Sequence, residues 1–203
     1  MELLSWSGMV IVGLTSIGLL ISHNWRYSIL FFALQYTGVF LLITSYRPIE
    51  IAGVILLTGW VSGIVLGFVL LSEQSVSLSI STDTEQEAQI LPSGKTFRFF
   101  TICLVLLAIW ALTPNMETLA PGVGQAQFYG SAILISMGML QVSLTTQPFR
   151  VILGLLTFLA GAEIIYDSIE NSVLITGLFS VVSLCLALVG AYLLIIHSAE
   201  IKQ

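Results

Sequence analysis

Apolar runs of about twenty residues recur along this chain, and they constrain its fold more than any other feature. A bilayer's hydrocarbon layer takes roughly 20 residues of α-helix to cross. Runs of that length fall at 3–21, 27–45, 51–71, 97–113, 126–144, 149–167 and 173–196. The polar and helix-breaking residues collect between them, in SHNWR, SYRPIE, PNMETLAPGVGQ, TTQPFR and DSIENS. The expected fold is therefore all-α, a polytopic transmembrane bundle of about seven spans. Composition agrees. Charged residues are 8% of the 203 and hydrophobic ones 57%, against roughly a quarter and a half in soluble domains. A mean hydropathy of +1.02 implies surface that only lipid or other membrane helices cover.

One joint is long. Residues 73–96 contain SVSLSISTDTEQEAQILPSGK, rich in Ser, Thr and Glu, and read as a cytoplasmic linker. It separates a three-helix half (1–72) from a four-helix half (97–203). The first run lacks a basic flank and a convincing small-residue cleavage site, so it reads as a span and not as a removable leader. Counting alternate sides, Arg26, Lys95, Arg98, Arg150 and Lys202 share one face, and Arg47 alone lies on the other. Short loops rich in Lys and Arg stay in the cytoplasm. The N-terminus is thus expected outside and the C-terminus inside.

Several chemistries find no support. The pI of 4.8 reflects few charges rather than an acidic tract, and argues against nucleic acid. Cys103 and Cys185 lie in apolar runs with no CxxC spacing, and are expected as small core residues, neither disulfide nor metal ligand. His23 and His197 sit at opposite ends of the sequence and offer no paired haem ligands. No phosphate loop, nucleophile elbow or HExxH occurs. No catalytic residue, cofactor or metal is expected. The Trp residues at 6, 25 and 60 are explained as interface anchors or packing groups.

The polar groups inside the spans are the candidate sites. Glu163 stands in GLLTFLAGAEIIYDSI, 13 residues beyond Arg150, or about 20 Å along a helix. A carboxylate at membrane depth costs roughly 2.5–3.5 kcal/mol on insertion scales, so it should face protein or water, which suits a proton carrier. If the helix continues for another turn, Asp167 and Glu170 fall at i+4 and i+7 on the same face, a column leading outward. If it ends near Tyr166, all three acids sit at the interface. Gln35, nine residues past Arg26, suits either a hydrogen bond between helices or a relay to a proton-carrying neighbour. Gln141 is similar and less central. Gly59, Gly63 and Gly67 recur every four residues in TGWVSGIVLGF, a stripe for close helix packing within the bundle or against another subunit.

The stretch FLAGAEIIYDS (158–168) resembles the second helix of the small K subunit of bacterial respiratory complex I, where a Gly-x-Glu-Ile pattern places a membrane glutamate. Spans five to seven match that subunit's three helices in order, and spans one to three look like a weaker copy, with Gln35 near the glutamate position. Seven spans of this length resemble component E of hydrogenase-4 and related membrane-bound complexes. The K subunit's second glutamate has no counterpart here, since span seven reads LFSVVSLCLALVGAYLL. Only Glu163 carries over. The resemblance implies a non-catalytic membrane subunit of a proton-translocating oxidoreductase in a prokaryotic inner membrane. It would bridge antiporter-like partner subunits and the redox module, with Glu163 its candidate proton site. Two other classes stay open: a free-standing small transporter with parallel repeats, and a non-catalytic assembly or anchoring protein.

Overall fold

The computed structural model describes residues 2–22, 24–77, 95–112, 122–170 and 172–201, and all regular structure among them is helical. Seven helices follow in order: α1 (Glu2–Ile21), α2 (Trp25–Thr44), α3 (Ile49–Ser77), α4 (Lys95–Leu112), α5 (Gln125–Ser143), α6 (Pro148–Ile169) and α7 (Val173–Ile201). Of the expected linker, 78–94 lies outside the described residues, as do His23 and Lys202. Five helices are long and apolar enough to cross a membrane, over Leu4–Ile21, Trp25–Thr44, Ile49–Ser72, Pro148–Ile169 and Val173–Ile196. The apolar run of α4 is shorter, Phe97–Leu112. Helix α5 is long enough, but Gln125, Gln127, Ser131, Gln141 and Ser143 dilute its hydropathy.

Local sequence explains where the elements stop. Pro48 and Pro148 supply the breaks before α3 and at the start of α6, where a missing N–H costs nothing. Glu170 leaves the helical region with φ −126° and ψ 137°, closing α6. Helix α3 outruns its apolar stretch because Glu73–Ser77 continue the helix with mostly polar residues.

Packing is pairwise. Helix α1 lies along α2 and α5 along α6, α3 packs on α7 and α2, and α2 also reaches α6. Helix α4 touches α5 and α1 only lightly. The central pairs come together at glycines. A Cβ on Gly138 would lie 2.7 Å from the Gly154 carbonyl oxygen, so the α5 and α6 backbones are in direct contact. The core is built from α2 and α6, with Phe32, Tyr36, Leu42, Leu153, Leu156 and Ile164 buried. The outer faces of α3, α4 and α7 expose Leu57, Ile64, Phe68, Leu107, Trp110 and Leu178.

One expectation is overturned. Cys103 and Cys185 are free and exposed on these outer faces, not in the core. In a membrane bundle both faces of a helix are apolar, so an apolar run does not say which side of it points inward.

Candidate functional site

The site lies where the C-terminal turn of α6 meets the joint between α2 and α3. Helix α6 runs through Ile169 without a break, so Glu163 and Asp167, one turn apart, share a face. That face is interior: Glu163 is 2% exposed and Asp167 1%. The helix therefore does not end near Tyr166, and these two acids are enclosed by protein. Glu170 differs. It is the first residue beyond the helix, and it is exposed. The column thus consists of two buried carboxyls and a third acid at the surface.

Arg47 comes to this group from the first half of the chain. Its guanidinium is 3.9 Å from Asp167 Oδ1, and the side chain is 7% exposed. It also donates to the Glu170 carbonyl oxygen, satisfying one of the orphan carbonyls that every helix C-terminus leaves. Thr176 of α7 donates to Asp167 Oδ1 at 2.6 Å. Two residues earlier than Arg47, Ser45 accepts a hydrogen bond from Gln127 of α5 at 2.9 Å. Between them, the Tyr46 hydroxyl donates to the Ile164 carbonyl of α6 at 3.4 Å. Three successive joint residues, Ser45, Tyr46 and Arg47, therefore each hold a different part of the second half. Burial pushes the Tyr46 phenol above its ordinary range, so it stays a neutral donor.

Deeper in the bundle, Tyr36 and Tyr46 both lie within electrostatic range of Glu163. The Tyr36 hydroxyl approaches Ser183 of α7 without making a hydrogen bond to it. Six buried polar atoms in this region have no hydrogen-bond partner: Tyr36 Oη, Arg47 Nε, Glu163 Oε1, Tyr166 Oη, Asp167 Oδ2 and Ser180 Oγ. Buried polar groups without partners are rare, and each asks for a cause.

Gln35 is not part of this cluster. Its Nε2 donates to Ser16 Oγ of α1 at 3.0 Å, and Thr157 of α6 donates to its Oε1 at 3.4 Å. The amide ties three helices together through hydroxyls. The glycine stripe packs inside the bundle, on α2: Gly59 faces Tyr36, Gly63 faces Phe32 and Gly67 faces Ile29. At the opposite end of the bundle, Arg98, Gln141 and Arg150 line one small cleft with Leu19, Leu20 and Leu144. Among the described residues, no group of three His, Cys, Asp or Glu side chains is placed to hold a metal ion.

Arg47, Tyr36, Tyr46, Thr176 and Ser180 are absent from the candidate site residues that the sequence offers. Arg47 had a signal, as the lone cation on the side to which the acidic column leads. The hydroxyls had none. Compared with protein-family models, with curated proteins and with solved structures, the chain matches none.

Proposed function

We propose that this chain is a proton-handling membrane subunit of a complex I-like or membrane-bound hydrogenase-like ion-translocating complex, bridging antiporter-like subunits and a redox module. In this reading all seven helices cross a prokaryotic inner membrane. The Arg98 and Arg150 end faces the cytoplasm, and the N-terminus lies outside.

One observation carries the proposal. Two carboxyls, Glu163 and Asp167, are enclosed one turn apart in an apolar bundle with a single guanidinium beside them. Two acids facing one cation cannot both be ionised cheaply in a low-dielectric interior. A bundle held together only by packing would gain by replacing them with apolar residues, since intramembrane acids are costly and mark ion or proton sites. The broad apolar outer faces fit a subunit that works beside others. The likeness of FLAGAEIIYDS to the complex I K subunit supplies the kind of complex.

The test is the native mass after extraction in a mild detergent, with co-migrating chains identified. The expected result is an assembly many times the chain's own 22.0 kDa, containing redox and antiporter-like subunits. Its proton translocation should fall at least tenfold in Glu163→Gln. Migration as a monomer or small homo-oligomer would sink the bridging role.

A further inference from the structure

Among the described residues the six unpartnered atoms are not scattered. They form a series that starts at the Arg47 end and stops in the middle. Glu170 is exposed there, and Arg47 and Asp167 stand directly beneath it. Glu163 lies four residues further along α6, about 6 Å deeper. Thr176 bonds Asp167, so Ser180, one turn on along the antiparallel α7, is level with Glu163. Ser183 and the Tyr36 hydroxyl come next. Buried hydroxyls and carboxylates that lack protein partners take ordered water, typically with several hydrogen bonds each. Waters along this series would satisfy these atoms and join them into one track.

Beyond Tyr36 the character changes. Toward the Arg150 end come Phe32, Met137, Leu153 and Leu156, all buried. The Gly138–Gly154 contact brings the α5 and α6 backbones together, leaving no room for water between them. The polar atoms at this level are already paired, Gln35 with Ser16 and Thr157. No unpartnered buried polar atom occurs on this side among the described residues.

We propose that Glu163 exchanges its proton with the Arg47 end only, along this dead-end track, and that the chain by itself does not conduct protons from one end to the other. This rests on the reading of Glu163 as a proton site. The groups that face it are Tyr36 and Tyr46 from α2 and its joint, Asp167 on its own helix, and Arg47 next along; Tyr166 faces Asp167 and Glu170 instead. Helix α7 contributes hydroxyls, Ser180 and Ser183, and α3 contributes Gly59, which only backs Tyr36. Passage to the Arg150 end then requires either a partner subunit or a movement that parts Gly138 from Gly154.

The experiment uses the full chain inserted in one orientation in lipid vesicles. The infrared carbonyl band of the protonated carboxyl is followed while pH is stepped on one side and clamped on the other. Loss of the band in Glu163→Gln assigns it. Should that variant fail to fold, a shift on labelling with ¹³C-glutamate separates the band from Asp167, and Glu163 is the buried glutamate among the described side chains. The band should follow pH on the Arg47 side and ignore steps on the Arg150 side, and the vesicles should show no proton current sensitive to Glu163→Gln. A band that follows the Arg150 side or both sides, or such a current, overturns the dead-end track but leaves Glu163 as a proton site. A band that answers to neither side, or no protonated-glutamate band at all, overturns both.

Discussion

A Cβ placed on Gly59 would lie 2.0 Å from Tyr36 Cδ1, whereas one on Gly63 would lie 3.4 Å from Phe32 Cδ1. The same four-residue stripe therefore contains one position that tolerates no side chain and one that does. Tyr36 is fully enclosed, so its ring has nowhere to retreat. Gly59→Ala should cost about 1–3 kcal/mol, the usual range for overpacking. Gly63→Ala should be close to neutral. Thermal unfolding in detergent reads both, and equal midpoints for the two variants would refute the packing argument. Arg47 and Asp167 make a second residue-scale case. Taking away one member of a buried ion pair leaves the other uncompensated, at roughly 3–5 kcal/mol. Arg47→Gln should thus destabilise by about 3 kcal/mol, the low end, because the separation is 3.9 Å. Adding Asp167→Asn should recover part of that loss. Strictly additive losses in the double variant would mean that the two groups do not interact.

At the scale of elements, the helices were legible because lipid thickness and apolar run length are one constraint seen twice. What sequence could not show is which face of each helix lies inside. Cys103 and Cys185 are the plain case, since an outward and an inward position are equally apolar in a membrane bundle. Glu163 is a subtler one. Its burial depends on whether α6 continues past Tyr166, and the residues that decide this, Asp167–Ile169, are compatible with either outcome. Arg47 bonds a carbonyl 123 positions away, a separation at which no local pattern speaks. Gln35 could be read as a relay or as a strut, and its partners, hydroxyls on α1 and α6, suit a strut. Hydrogen bonds between membrane helices average about 0.6 kcal/mol, and one of its two is long at 3.4 Å. Gln35→Leu should cost on the order of 1 kcal/mol and leave the Glu163 carbonyl band's response to pH unchanged. A shifted response would place Gln35 in the proton path after all.

For the whole molecule, the question is whether the two halves of the sequence are also two halves of the structure. They are not independent bodies. Helix α3 packs on α7, α1 on α5, and α2 on α6. Each element of the first half thus has a counterpart in the second. Polar contacts cross the same boundary at two levels: Ser45, Tyr46 and Arg47 at one end, and the Gln35–Thr157 hydrogen bond in the middle. Tyr36 of the first half stands against Glu163 of the second, so the candidate site itself exists only when both are joined. Covalent continuity through 78–94 adds an entropic advantage that grows only slowly with linker length, and the packed surface between the halves outweighs it. A protease site introduced between Ser77 and Lys95 tests this directly. After cleavage in detergent, fragments 1–77 and 95–203 should elute together at the mass of the uncut chain, with an unfolding midpoint within a few degrees of it. Arg47→Gln in the cleaved protein should loosen the pair further, because the joint carries most of the polar ties between the halves. Fragments that part on cleavage would mean that the linker, not the packed interface, holds the site together.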